Sequence, residues 1–196
     1  MNYLAHAYLS FGHKEILAGN MISDFVKGKA RFQYPAGIQK GIMLHRAIDN
    51  FTDTQPVTKT AMDVFRPAYR LYSGPIVDII YDHFLASDPR IFTDAGLLQF
   101  SRNVYEVLEE NAPLLPTYFN HVLVYMKTEN WLYHYKTTTG IEKSLRGLAR
   151  RAAYMRESNT AIELFHAQYG FLKECYGVFM EDVKNFAKQQ FDELTG

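Results

Sequence analysis

The sequence predicts an all-α protein, a single-domain helical bundle, on three observations. Apolar residues recur mostly three and four positions apart along the 196-residue chain, the period of helices that bury one face. Gly12, Gly28, Gln55-Pro56 and Ser87-Asp88-Pro89 punctuate these stretches. No strand-like run has a neighbour to pair with, so even HVLVYM is expected to be helical.

Taken in order, residues 2–10 and about 14–27 are expected as helices, punctuated by Gly12 and Gly28. Pro35 opens a helix to about Thr52, and Gln55-Pro56 separates it from one reaching about Arg66, where Pro67 interrupts. Ser73-Gly74-Pro75 is a helix start with proline near the first helical position. Ser87-Asp88-Pro89 closes that helix, and Thr93-Asp94 opens another that runs to about Asn111. In the last segment Ile162, Phe165, Tyr169, Leu172, Tyr176, Phe179, Val183 and Phe186 form an a/d-like seam. It predicts one helix of roughly 30 residues, long for a globular protein. That helix either packs along the whole domain or joins a homodimer, and Gly170 and Gly177 are placed for close helix contact.

Composition bounds the function. A hydrophobic fraction of 47% and an aromatic fraction of 15% exclude a disordered chain. No apolar run approaches the roughly 20 residues of a membrane span. No basic region precedes the first apolar run, which His6 interrupts, so no signal peptide is expected. The single cysteine, Cys175, builds no internal disulfide and fits a reducing, cytoplasmic setting. A net charge of zero argues against wholesale nucleic-acid binding. The charge is unevenly spread, however. Residues 136–156 carry Lys136, Lys143, Arg146, Arg150, Arg151 and Arg156 against Glu142 alone, a basic stretch that reads as a solvated helix face or as a site for an acidic partner or a phosphate.

The informative residues are histidines and aspartates set among apolar neighbours. His6 stands in NYLAHAYLS, Asp24 in GNMISDFVKG, His45 and Asp49 in GIMLHRAIDNFTD, and Asp78, Asp82 and His83 in PIVDIIYDHFLA. An ionised carboxylate in an apolar setting is expensive unless it is paired or binds a metal. His45 and Asp49 share a helix face, as do Asp78 and Asp82, and imidazole plus carboxylate suits Mn, Fe or Zn. A bound metal lowers the pKa of its water and polarises a phosphoryl oxygen, and Arg46 is placed to stabilise charge on phosphate oxygens. Each group also has a purely structural reading. His6 reads as a core or surface histidine, and Asp24 as a partner of Lys27 or Lys29. Asp49 and Asp53 with Arg46 read as a surface salt-bridge network, and the Asp78, Asp82 and His83 trio as buried pairing. His13, His121, His134 and His166 have no partner at useful spacing, and Trp131 reads as core.

Four blocks in this order and spacing, MNYLAHAYLS, GNMISDFVKG, GIMLHRAIDNFTD and PIVDIIYDHFLA, resemble the acyl carrier protein phosphodiesterases, and ENWLYHY continues the likeness. That family is related to the HD-domain phosphohydrolases, so the resemblance implies a distorted HD-domain-like bundle over residues 1–196. It departs from the ordinary HD pattern, since Arg46 follows His45 and only the reversed pair Asp82-His83 occurs. The resemblance implies removal of 4′-phosphopantetheine from the serine of holo acyl carrier protein, with Mn²⁺ as the metal. On that basis Asp24, His45, Asp78 and Asp82 are the expected metal ligands, with His6 as a fifth. Asp49 orients His45 or Arg46, and Arg46 balances phosphate charge. His83 or a metal-bound water protonates the departing serine. Lys27, Lys29, Arg31 and the 143–156 stretch are expected to face the acidic carrier. Two other readings compete: a metal phosphohydrolase acting on a nucleotide or other small phosphoester, and a non-catalytic helical binding module.

Overall fold

Helix boundaries follow the local chemistry of the chain. The computed structural model describes residues 1–196 and contains twelve α-helices and no β-strand. They are α1 (Tyr3–Tyr8), α2 (Lys14–Ile22), α3 (Ala36–Thr54), α4 (Pro56–Asp63), α5 (Arg66–Tyr69) and α6 (Ser73–Ala86). Then come α7 (Asp94–Glu110), α8 (Thr117–Thr128), α9 (Trp131–His134), α10 (Thr138–Arg151), α11 (Asn159–Ala167) and α12 (Tyr169–Thr195). Thr93 and Thr137 accept the N–H of Gly96 and Gly140 and cap α7 and α10. Pro56 occupies the first turn of α4, where its missing N–H is no loss.

The core is a single cluster of 49 buried residues, and α12 lies along α3, α4 and α6 to close it. The C-terminal seam faces inward: Phe165, Leu172, Tyr176, Phe179 and Val183 are buried, and Phe186 stacks on Phe51 of α3 at 4.3 Å. It is carried by two helices and not one. The chain breaks at Gln168 between α11 and α12, yet Phe165 and Tyr169 on either side both pack on Phe84. Gly170 and Gly177 make no close helix contact, since a methyl group on either would meet open space.

The close contact lies elsewhere, where α2 crosses α3. A Cβ on Gly19 would sit 2.1 Å from the Ile38 carbonyl oxygen, and one on Gly41 2.2 Å from that of Ile16. Only glycine at both positions lets the two backbones meet. A second fixed point is α1, whose N-terminal Leu4 and Ala5 N–H groups donate to the two carboxylate oxygens of Asp82 on α6, at 2.8 and 3.0 Å. Its C-terminal end is tied to α2, because Asn20 Nδ2 donates to the His6 carbonyl oxygen at 2.8 Å and to the Ser10 hydroxyl at 3.0 Å. The helix expected over 14–27 ends at Ile22, and two 3-10 turns, Ser23–Phe25 and Gly28–Gln33, carry the chain to α3.

Adding one methyl group therefore has opposite effects at two glycines. Gly19→Ala is expected to cost about 3 kcal/mol by forcing α2 off α3, which lowers Tm by roughly 6–12 °C. Gly177→Ala, in open space on α12, is expected to stabilise by about 0.5–1 kcal/mol through helix propensity. Thermal melts of the two variants read the difference, and a Gly19→Ala protein as stable as the parent would contradict the close crossing.

Candidate metal centre

One face of α3 supplies His45 and Asp49. His45 Nδ1 lies 2.7 Å from the Asn20 carbonyl oxygen of α2. A carbonyl only accepts, so Nδ1 carries a proton and Nε2 bears the lone pair of the neutral ring. From α1, His6 stacks on His45 with ring centroids 3.8 Å apart and planes 13° from parallel. Asp49 spans the two rings, Oδ1 at 3.2 Å from His6 Nε2 and Oδ2 at 3.0 Å from His45 Nε2. Asp24, on the first 3-10 turn, brings Oδ1 to 3.3 Å from the same His45 nitrogen.

Both histidines are buried, yet neither ring nitrogen of His6 nor Nε2 of His45 has an aligned hydrogen bond. A buried polar atom left this way costs about 1–3 kcal/mol, and the cost falls away if the lone pairs meet a cation. Ligand atoms of His6, His45 and Asp49 all lie within 4.8 Å of one another, a group able to hold a metal ion. Two imidazole nitrogens with a carboxylate oxygen are the donor set of Mn, Fe or Zn, so the residues fit a divalent metal.

The electrostatics carry the same signature. Burial lowers the basicity of His45, but Asp24 and Asp49 outweigh it and raise its pKa to about 9. His6, buried and next to the charged His45, is pushed down to about 4. Burial opposes ionisation of Asp49, yet His6, the Met1 α-ammonium and His45 hold it well below the usual carboxylate range. Asp24 is lowered by its contact with His45.

Asp49 and Asp24 open onto a cleft of about 360 Å³ that Lys27, Gly28, His45 and Arg46 also line. Arg46 is anchored there, donating from Nη2 to the Val26 carbonyl oxygen at 2.9 Å. The sequence profile of the family described as acyl carrier protein phosphodiesterase matches residues 1–183. The chain belongs to the acyl carrier protein phosphodiesterase family.

Relatives that carry that name agree in extent. The Yersinia pestis acyl carrier protein phosphodiesterase is 35% identical over 152 residues, 77% of this chain and 79% of its own. The Photorhabdus laumondii protein is 32% identical over 190 residues, 94% and 96% of the two chains. One from Klebsiella pneumoniae is 30% identical over 191 residues, covering 97% and 99%. No solved structure matches the chain.

Of the expected ligands in this family member, Asp24 and His45 line the cleft, and the buried His6 stacks on His45. Asp49, expected to orient its neighbours, bridges the Nε2 atoms of the two stacked rings. Asp78 lies one group further in, its Oδ1 3.0 Å from the Met1 α-amino nitrogen, which is itself 3.2 Å from Asp49 Oδ1. Burial raises the Asp78 carboxyl. The Met1 amine, lowered by burial, is driven up to about 11 by Asp78 and Asp49. Asp82 is spent on the α1 cap; burial pushes it up to about 7, with the two backbone N–H groups pulling the other way.

His83 does not line the cleft. Its Nδ1 lies 2.8 Å from the Tyr135 carbonyl oxygen and its Nε2 3.0 Å from the Tyr169 hydroxyl, and burial lowers its basicity. Two participants escaped sequence reasoning. The Asn20 carbonyl fixes the His45 tautomer and carries no sequence signal, and the Met1 amine reaches Asp49 only through the fold.

Because His45 holds a proton on Nε2 until about pH 9, a metal must displace it. Affinity for Mn²⁺ is therefore expected to rise with pH, about tenfold per unit from 7 to 9, and to level off above. Calorimetric titration in buffers of different ionisation enthalpy reads this as about one proton released per ion bound. An affinity flat across that range would exclude His45 Nε2 as a ligand.

Proposed function

We propose that this chain hydrolyses the phosphodiester linking 4′-phosphopantetheine to the serine of holo acyl carrier protein, leaving the apo carrier. The observation that carries the reading is the convergence of His6, His45 and Asp49 at a cleft walled by Arg46 and Lys27, in a chain of this family. The metal proposed is Mn²⁺, which when bound supplies Lewis acidity to a phosphoryl oxygen and to the attacking water.

The chain's own residues account for the rest. Asn20 and the stacking of His6 hold the His45 ring in one tautomer and orientation, so that its Nε2 faces the cleft. Asp49 bridges the two imidazoles and fixes the spacing of the donor set. Arg46 uses one N–H on Val26 and keeps further donors for the non-bridging phosphate oxygens. His83 is tied to Tyr135 and Tyr169, so the proton for the departing serine oxygen is assigned to Lys27, which lines the cleft. The whole of 1–196 acts as one domain, working in the cytoplasm on a free, acidic carrier.

Intact-mass analysis of a holo carrier incubated with the protein tests this. The phosphopantetheine mass is expected to disappear with Mn²⁺ and to persist with excess chelator. Asp49→Asn, which breaks the donor set, is expected to slow the loss more than about a hundredfold. An unchanged mass with fresh Mn²⁺ and several carriers would refute the reading.

A further inference from the structure

A second cavity, of about 500 Å³, opens between α8, α9 and α10. One wall is the outer face of α10, where Lys143, Arg146, Gly147, Arg150 and Arg151 line it; the opposite wall is aromatic, with Tyr3, Tyr125 and Trp131. Glu129 is the single acid in the lining. The cations are mostly unspent: Arg146 pairs with Glu142 at 3.2 Å, whereas Lys143, Arg150 and Arg151 have no carboxylate within 4.0 Å. A solvated helix face in a chain of zero net charge would mix signs, as the far end of α12 does with its Lys188–Asp192 pair. This wall does not.

The cavity adjoins the metal cleft. Tyr3 of the cavity wall packs on Phe119 of α8 with centroids 6.5 Å apart, and Phe119 packs in turn on Phe25, the residue after Asp24, at 5.3 Å. Tyr118, on the same helix as Tyr125, packs on Phe25 beside Asp24 at 5.7 Å. Tyr118, Val124 and Tyr125 are each more than 60% exposed, an aromatic and apolar rim running from the cleft to the cavity.

The pantetheine arm is uncharged beyond its phosphate, so a wall of cations offers it nothing. A small free anion would use the cations but not the exposed rim outside the cavity. An acidic amphipathic helix uses both. Lys143, Gly147 and Arg150 repeat at four and three residues, the pitch of one helical turn, and carboxylates repeating at that pitch on a second helix meet them in register. We propose that the α8–α10 groove docks an acidic, amphipathic helix of the carrier protein, its carboxylates on α10 and its apolar edge on α8, with the modified serine over the metal cleft. This rests on the holo carrier being the substrate.

Gly147 gives a test that leaves charge unchanged. A Cβ there would meet only Arg150 Nη2, at 4.0 Å, and Gly147 lines the cavity, so Gly147→Leu is expected to fold and to project into the groove. Lys143→Glu with Arg150→Glu removes no ion pair and reverses the wall. Binding of fluorescently labelled apo carrier is read without turnover, alongside KM and kcat on the holo carrier. Both variants are expected to raise Kd and KM about tenfold or more with kcat within about twofold. The charge-reversed protein also loses the salt dependence of binding, while Gly147→Leu keeps it. Lys59→Glu with Lys184→Glu, equal in charge and outside the groove, is expected to stay within about twofold of the parent.

Parent-like carrier binding in both groove variants would overturn the proposal. So would loss of free 4′-phosphopantetheine binding with carrier binding intact, which would hand the cavity to the prosthetic group. A carrier that binds through the groove but is not cleaved would defeat the proposed reaction and leave the docking surface standing.

Discussion

The crossing of α2 and α3 at Gly19 and Gly41, with no room for a Cβ on either, is the constraint from which the rest of the site follows. It brings the last turn of α2 close enough for the Asn20 carbonyl to reach His45 Nδ1 at 2.7 Å. Asn20's side chain faces the other way and holds the end of α1, from which His6 projects. Three segments that carry the candidate ligands are thus indexed to one backbone contact. Had α2 and α3 packed at the 8–10 Å usual for helices separated by side chains, no hydrogen bond from His45 could span the gap.

The arrangement also explains how so many aspartates coexist under one roof of apolar residues. Each is given a different kind of partner. Asp82 accepts two backbone N–H groups, Asp78 faces the Met1 amine, and Asp49 bridges the Nε2 atoms of two imidazoles. A helix cap contributes about 1 kcal/mol, less than full desolvation of a carboxylate costs, and the displaced pKa of Asp82 records that deficit. Asp49 differs in sign: three positive or proton-bearing groups surround it and favour its charge. Charge of that density, open to a cleft on one side, is what marks Asp49 and not Asp82 as the candidate ligand.

Much of this was legible in the sequence. The helical class, most helix starts and the convergence of His6, Asp24 and His45 follow from periodicity, capping residues and polar groups in apolar surroundings. Local patterns failed where long-range contacts decide. The 14–27 segment reads as continuous helix, but Asp24 bends out to His45, and the 3-10 turn Ser23–Phe25 replaces the last helical turn. The C-terminal seam correctly marked burial and wrongly implied continuity, since Phe165 and Tyr169 pack on Phe84 from separate helices. Glycine spacing pointed to Gly170 and Gly177, whereas the close approach is between Gly19 and Gly41, whose partner helix no single-chain period reveals. Asp82 and Asp49 look alike in sequence. Their difference is set by the N-terminus of α1, 78 residues away from Asp82 in one case, and by His6 in the other.

The central claim is that His6, His45 and Asp49 form the metal centre, with Asp24 beside it. Anomalous diffraction from crystals grown with Mn²⁺, collected on both sides of the manganese edge, tests it most directly. An anomalous peak is expected at coordination distance from His6 Nε2, His45 Nε2 and the Asp49 carboxylate, facing the cleft. A peak seated instead against Asp78 and Asp82, with the two histidines unligated, would contradict it.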